Sequence, residues 1–244
     1  MTLAIRGDRA SLRLQLGPRT WLLAVARGFG SIGGLTTEAA LLARLRAECE
    51  RQKRSVRFRR TMDRAQGAAA AILAMLRRVN FDLYTATASH EDYVTAAASL
   101  TAVLVVEERA FVMQAGSTAA YLAHAGEVIA LSGDDFLEGR GASLLFRAFA
   151  VGPALDVEVS SAALAHGDVI VLLDRRLRAP ADRRALLAQL EAASAGEHVL
   201  IARIERDEPT ENRSPNVAQT AALRPVCARI AAALAFLIAM VLGR

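Results

Sequence analysis

The chain has very little lysine, cysteine and histidine. Of its 30 basic residues only Lys53 is a lysine, so arginine supplies nearly all the positive charge behind the formal net charge of +5. The two cysteines, Cys49 and Cys227, form no C-x-x-C unit, and the four histidines show no zinc-ligand spacing. These absences argue against a disulfide framework and a zinc site, and they favour a reducing cytosolic compartment.

The first residues of the sequence do not resemble a secretory signal peptide. The first 17 residues contain no apolar run and carry charges at Arg6, Asp8, Arg9 and Arg13, which is not the pattern of a signal peptide. A chain of 244 residues, 53% of them hydrophobic, can form one domain of roughly 200 residues with a single core. The arginine skew says little about partners by itself. Single positions still matter, because guanidinium groups bind carboxylates and phosphates through paired hydrogen bonds.

Short apolar runs predict β-strands, because each is bounded by Gly, Asp, Glu or Ser and is rich in Val, Ile and Leu. The predicted strands are Trp21–Ala26, Ala102–Val106, Ala110–Ala115, Ala119–Ala123, Val128–Leu131, Leu155–Val159, Val169–Leu173 and Val199–Ile204. The segments 107–109 and 123–126 have the composition of tight hairpin connections.

Helices are predicted between these strands. One begins after Thr36 or Thr37 and runs to about Arg54, a second spans about Thr61 to Val79, and a third covers about Pro180 to Ala193. Runs of strands separated from runs of helices indicate the α+β class, with an antiparallel sheet covered by helices.

The composition changes after residue 205. Residues 206–225 are polar and interrupted by proline, which predicts a flexible linker. Residues 230–243 carry no charge, and the stretch extends to 226–243 if Arg229 reaches the headgroups. A membrane span needs about 20 apolar residues, so an amphipathic or core helix is the alternative. An apolar stretch that follows a linker nevertheless favours a C-terminal transmembrane anchor.

The charges beside this anchor predict its topology. Arg224 and Arg229 precede the apolar stretch, whereas Arg244 follows it. Basic residues are enriched on the cytoplasmic side of a span. We therefore expect a single-pass membrane protein whose soluble domain lies in the cytoplasm.

Residues 111–136 resemble a motif of the metal-dependent protein phosphatase (PPM) family. That motif is a strand, V-G-D-S-R-x-Y-L, a turn with D-G, a second strand and L-T-x-D-H. The residues that keep the pattern are Gly116, Tyr121, Leu122, Gly126, Leu131 and Asp134. Ser117 replaces the family's Asp and Ala119 its Arg.

Three further segments follow in the family's order. Residues 27–31 stand where D-G-M-G-G follows the second strand, 145–149 resemble L-T-R-A-L, and 167–177 resemble G-D-x-L-L-L-C-S-D-G-L. The resemblance covers about Leu3 to Glu205 and predicts a PPM phosphatase-like domain over residues 1–205. It implies a two-sheet antiparallel β-sandwich flanked by helices, with a pair of Mn²⁺ or Mg²⁺ ions at one end.

The family's metal ligands are replaced in this chain. Such ions need carboxylate oxygens and activate a bridging water for attack on phosphorus. The resemblance places Arg27 at the Asp of D-G-M-G-G and Arg175 at the Asp of S-D-G, with Asp174 beside it. The final Asp-Asn falls near Glu197, and Asp8 matches a weak N-x-D element.

Two arginines in place of carboxylates predict a pseudophosphatase with no metal cofactor, because fixed guanidinium charges repel a dication. Arg27, Gly28 and Arg175 are the candidate anion pocket. The alternative is that both arginines pair with local carboxylates such as Asp174 or Glu197. The predicted function is a membrane-tethered, non-catalytic signalling domain that binds a protein partner, phosphorylated or not.

Two other functions stay open. A divergent but active Ser/Thr phosphatase would hold Mn²⁺ or Mg²⁺ with Asp8, Asp174 and Glu197. An electrostatic lipid- or nucleic-acid-binding module would use the nine basic residues of segment 44–64. A solvated helix pair is the preferred interpretation of that segment, with anionic headgroups second. No nucleic-acid partner is predicted, because aromatic residues are scarce there and no nucleic-acid motif accompanies it.

Overall fold

The structure is a computed structural model of the chain. It describes residues 2–7, 11–88, 96–125, 127–133, 136–139, 142–145, 147–174 and 199–205. The predicted third helix at 180–193, the linker and the predicted membrane anchor at 226–243 lie outside the described residues. Among the helices that the structure describes, none is long and apolar enough to cross a membrane.

Two five-stranded antiparallel sheets form the body of the fold. Sheet A has the order β1-β14-β13-β8-β9, and sheet B has the order β12-β7-β6-β3-β2. The strands of sheet A are β1 (Thr2–Gly7), β8 (Ala119–His124), β9 (Glu127–Ala130), β13 (Val169–Leu173) and β14 (Val199–Glu205). Those of sheet B are β2 (Ser11–Gly17), β3 (Thr20–Phe29), β6 (Ala97–Val106), β7 (Arg109–Ala115) and β12 (Glu158–Ala163).

Two small hairpins and three helices complete the described structure. The hairpins are β4 (Ser31–Ile32) with β5 (Leu35–Thr36), and β10 (Phe136–Gly139) with β11 (Ala142–Leu145). The helices are α1 (Thr37–Lys53), α2 (Val56–Met62) and α3 (Ala65–Ala88). The predicted α+β class and the antiparallel two-sheet arrangement flanked by helices are confirmed.

Alternation along the strands of sheet B separates two cores. One face of β3 places Leu22, Ala24 and Ala26 in a cluster with Leu41 and Leu76 of the helices, so this outer face carries the helix layer. The other face places Leu23 and Val25 in a cluster with Leu122 and Leu172 of sheet A. Successive side chains point to opposite faces of a strand, so the second face looks into the space between the sheets.

The helix boundaries follow from capping and periodicity. Ser55 caps α2 by accepting a hydrogen bond from the Phe58 amide, and Thr36 precedes α1 in an extended conformation. The predicted second helix is displaced: a separate α2 ends at Met62, and α3 continues to Ala88. The apolar stripe continues through Val79 and Leu83, which are both buried, so packing on sheet B extends the helix.

Most predicted strands are present, and one begins later than predicted. The prediction was Leu155–Val159, but β12 begins at Glu158. Leu155 and Val157 are nevertheless buried in the loop before β12, where they join the core beneath the helices. Their hydrophobicity therefore reflects burial of a loop and not pairing in a sheet.

Candidate functional site

The two ends of the sandwich can be distinguished by the strand ends that lie at each. Residues 116–118 connect the end of β7 to the start of β8, so those strand ends lie together. The ends of β3 and β13 and the start of β14 meet at the same end, because Arg27 pairs with Ser99 and Leu173 pairs with Val199. We call this end the site pole, and the other end the opposite pole.

Polar side chains fill the space between the sheets at the site pole. Side chains alternate along a strand, so the residues that continue the apolar inner rows also face the space between the sheets. We call these residues the polar layer: Arg27, Ser99, Thr101, Gln114, Thr118 and Asp174. All of them are buried except Arg27, which is exposed. Buried polar groups at the end of an apolar sandwich need hydrogen-bond partners, so their contacts define the layer.

Two hydroxyl pairs join sheet B to the β7–β8 connection. Thr101 Oγ1 and Thr118 Oγ1 lie 2.8 Å apart in a buried setting, and Ser99 Oγ lies 3.2 Å from Ser117 Oγ. The Ser117 amide also donates to Ser99 Oγ at 2.9 Å. These bonds hold the connection against the start of β6.

Gly116 makes this close approach feasible. Its φ is +99°, and a Cβ added there would lie 2.2 Å from Ser99 Oγ and 2.9 Å from Ser99 Cα. Any side chain would therefore collide with the backbone of β6. The glycine that the sequence shares with the PPM pattern has a clear steric reason in this structure.

The amide of Gln114 closes the layer. Its Nε2 donates to the carbonyl oxygens of Gly116 at 2.9 Å, Thr118 at 2.9 Å and Gly133 at 3.3 Å. The side chain is buried, and its Oε1 accepts no hydrogen bond from any residue that the structure describes. Three carbonyls around one nitrogen fix the orientation of the amide.

Arg27 lies at the end of β3, where the resemblance placed it. Its neighbour on β6 is Ser99, and its side chain is exposed at the mouth of the space between the sheets. Among the described residues it forms no ion pair, and Asp174 in particular does not pair with it. Arg175, which was predicted to share the anion pocket with Arg27, lies outside the described residues. Glu197, which was predicted as a possible carboxylate partner of the arginines, lies outside them too.

Gly28 points to the other face of β3. A Cβ there would lie 2.7 Å from Glu38 Oε2, 2.8 Å from the Glu38 amide nitrogen and 3.1 Å from the Ala97 oxygen. Gly28 therefore allows the first turn of α1 to approach the sheet. This contact brings the carboxylate of Glu38 to the site pole, a position that none of the sequence motifs predicts.

Asp174 and Asp168 flank the same strand, β13, yet their surroundings differ. Asp168, at the opposite pole, is buried but accepts from the Ala165 amide at 2.7 Å and contacts His124 Nδ1 at 2.8 Å. Asp174, at the site pole, is 6% exposed, and its Oδ1 has no hydrogen-bond partner among the described residues. An unpartnered buried carboxylate oxygen is costly, so it marks Asp174 as a candidate ligand for a cation or a donor.

The described residues do not supply the carboxylates that a pair of ions needs. Within the part of the chain that the structure describes, no three His, Cys, Asp or Glu side chains form a group that could hold a metal ion. Asp174 is the predicted ligand that the structure places, whereas Asp8 and Glu197 lie outside the described residues. The described donor set therefore does not fit a dinuclear centre by itself.

Comparison with known proteins identifies the fold. No family model matches the chain, and no curated protein matches it by sequence. Solved structures of bacterial serine/threonine phosphatases do match. The Mycobacterium tuberculosis phosphatase PstP/Ppp shares 17% identity and a TM-score of 0.58, covering 84% of this chain and 99% of that one.

Two further structures agree. The PPM Ser-Thr phosphatase MsPP from Mycobacterium smegmatis shares 18% identity and a TM-score of 0.57, covering 84% of this chain and 99% of that one. The S. agalactiae serine/threonine phosphatase shares 12% identity and a TM-score of 0.63, covering 84% of this chain and 99% of that one. The chain therefore has the fold of the PPM-type phosphatases, which confirms the predicted resemblance at the level of the fold.

Proposed function

We propose that this PPM-fold domain is a pseudophosphatase that binds a protein partner, phosphorylated or not, at its site pole. One observation carries the proposal: Arg27 stands at the end of β3 with an exposed guanidinium that pairs with no carboxylate among the described residues. A guanidinium binds phosphate through two parallel hydrogen bonds. The same fixed charge about 4 Å from a cation would repel it by several kcal/mol at intermediate dielectric.

Binding of a phosphopeptide tests the proposal. A phosphoserine peptide library titrated by fluorescence anisotropy should contain ligands that lose about 10-fold or more in affinity with Arg27→Gln, because a charged hydrogen bond contributes about 1.5–3 kcal/mol. Arg77→Gln removes an exposed arginine from mid-α3 and serves as the matched control. Equal losses in both variants would show that the site pole is not the binding site.

A divergent, active phosphatase is the second candidate. It is favoured by Asp174 Oδ1, a buried carboxylate oxygen with no hydrogen-bond partner in the part of the chain that the structure describes. Asp8, Asp174 and Glu197 would then hold Mn²⁺ or Mg²⁺, which would supply an activated water when bound. Calorimetry with Mn²⁺ separates the two candidates. The pseudophosphatase predicts no binding heat, whereas heat that disappears with Asp174→Asn, together with phosphate release from a phosphopeptide, would overturn it.

We also propose that residues 226–243 tether the domain to a membrane with the domain in the cytoplasm. The support is the uncharged stretch 230–243 and the arginines that precede it. An arginine at the centre of a span costs about 2.5–3.5 kcal/mol of insertion free energy. Leu237→Arg should therefore move the full chain from the carbonate-resistant membrane fraction to the soluble one, while Leu237→Ile should not.

A further inference from the structure

Helix α2 has a buried side and an exposed side of different character. Phe58 and Met62, four residues apart, are buried on one side and pack towards sheet B and the neighbouring helices. The helical repeat places Val56 and Arg60 directly opposite them, with Arg57 and Arg59 on the flanks. These four side chains are all exposed, and Val56 is 56% exposed.

The exposed side belongs to a larger basic surface. We define this basic surface as Arg54, Val56, Arg57, Arg59, Arg60 and Arg64, all of which are exposed. Among the described residues none of its five arginines forms an ion pair. Nearby Arg51 and Lys53, in contrast, pair with Glu48 at 2.6 Å and Glu50 at 2.8 Å. Segment 54–64 thus carries five exposed arginines without a described ion pair, against one acidic residue, Asp63.

The basic surface lies at the opposite pole. Thr20 Oγ1 donates to the Met62 carbonyl oxygen at 3.2 Å, which fixes the end of α2 against the start of β3. Arg27 lies seven residues further along the same strand, a distance of roughly 23 Å. The basic surface and the site pole therefore stand at opposite ends of one rigid strand.

The last strand that the structure describes ends at the same pole. β14 runs from Val199 at the site pole to Glu205, which pairs with Thr2. Glu205, the last described residue before the apolar stretch 226–243, therefore lies at the end of the domain that carries α2. Membrane docking by the basic surface is compatible with an anchor joined to Glu205 through residues 206–225.

We propose that the basic surface docks on an anionic lipid membrane and holds the site pole towards the aqueous phase. Arginines pair with lipid phosphates, and the exposed Val56 lies among them where an apolar side chain can enter the headgroup region. A nucleic acid fits less well, because Phe58 is the one aromatic residue of segment 54–64 and it is buried, which leaves no stacking surface there. This docking does not depend on whether the site pole is catalytic.

The test uses the full chain and two kinds of vesicle, phosphatidylcholine alone and phosphatidylcholine with 30% phosphatidylserine. The ratio of the two partition coefficients removes the contribution of the apolar tail, which both vesicles share. Arg57→Gln with Arg60→Gln should lower this ratio about 30-fold at physiological salt, since each arginine near an anionic surface adds several-fold to the partition coefficient. High salt should lower the wild-type ratio as well.

A control variant distinguishes binding through the basic surface from a general effect of the protein's net charge. Arg46→Gln with Arg77→Gln removes the same charge from exposed mid-helix positions of α1 and α3 and should leave the ratio within about 3-fold of wild type. Amide exchange of residues 54–64 should slow on anionic vesicles and not on neutral ones. A wild-type ratio near one, equal losses in both variants, or tighter binding to a 20-base-pair RNA duplex than to anionic vesicles would overturn the proposal.

Discussion

The two faces of sheet B end differently at the site pole. On the outer face, apolar side chains continue to the ends of the strands, as Ala26 and Ala98 show. On the inner face, the apolar rows that contain Val25 and Val103 give way to Arg27, Thr101 and Ser99. One sheet thus carries a continuous apolar contact with the helices and a polar layer that opens to solvent.

This difference separates stability from recognition. Burial of apolar area on the outer face stabilises the sheet at roughly 25 cal/mol per Å² and does not depend on the polar layer. The polar layer instead needs matched hydrogen bonds, because each buried group without a partner destabilises the fold. Changes of ligand-type residues at the inner end can therefore accumulate while the fold persists.

The largest expected effect is the protection of a buried thiol in the helix layer from a reagent in solution. Cys49 is fully buried, contacts the Met75 sulfur at 3.8 Å, and burial raises the pKa of its thiol to about 12. In a Cys227→Ser background, alkylation by iodoacetamide at pH 8 should be at least about 1,000-fold slower in the folded protein than in urea. Rapid alkylation without urea would show that α1 opens from the sheet.

Crowding at the polar layer gives the next largest effect. Gly116→Ala introduces a side chain at φ +99° against the Ser99 backbone, so we expect a loss of about 3 kcal/mol or more in the free energy of unfolding. Gly167→Ala is the control, because its φ is +88° but nothing lies within 4 Å. That variant should lose only about 1–2 kcal/mol in urea denaturation. Similar losses in both would mean that the clash is relieved at little cost.

The next prediction tests whether the buried hydroxyl groups of Thr101 and Thr118 are hydrogen-bonded to each other. Thr101→Val or Thr118→Val alone leaves one hydroxyl without a partner and should cost about 1–3 kcal/mol in unfolding free energy. The double variant should cost less than the sum, because no unpaired hydroxyl remains. Additive losses in a double-mutant cycle measured by chemical denaturation would contradict the pairing.

The smallest effect lies on the outside of the helix layer. Hydrogen bonds from Arg51 lower the pKa of Glu48, whose side chain is 12% exposed, while burial opposes the shift. The stabilisation is therefore present above the unfolded-state pKa and is lost as pH falls through the folded-state pKa. Glu48→Gln should cost up to about 1 kcal/mol at pH 7, and this difference should shrink below about pH 4. Glu50→Gln, in an exposed pair with Lys53, should change stability little at any pH.

Much of the fold could be predicted because its strands have strong local signals. β13 was predicted at Val169–Leu173 and is found there, since both of its faces are buried and the run is wholly apolar. β2 was missed although Leu12, Leu14 and Leu16 alternate with polar residues, which is the period of a half-buried strand. Its polar residues Ser11, Arg13 and Gln15 interrupt the leucines, so β2 contains no continuous apolar run.

The candidate site was less predictable, because its members come from different strands. The strand-end position of Arg27 followed from the resemblance. The roles of Gln114 and Glu38 did not, since each depends on carbonyls or backbone that only the folded chain brings near. The sequence signal available for the site was a polar residue, such as Thr101, at a position of a buried strand that faces the space between the sheets.

The pairing of β1 with β14 has a consequence for synthesis. β1 is made roughly 200 residues before β14, its only described neighbour in the sheet, which ends at Glu205. At about 5–20 residues per second the two are made roughly 10–40 seconds apart. Four of the five strands of sheet B and the three described helices are complete by Ala115, so they can pack while β1 still waits for β14. A chaperone that covers this early strand would act before the fold can close.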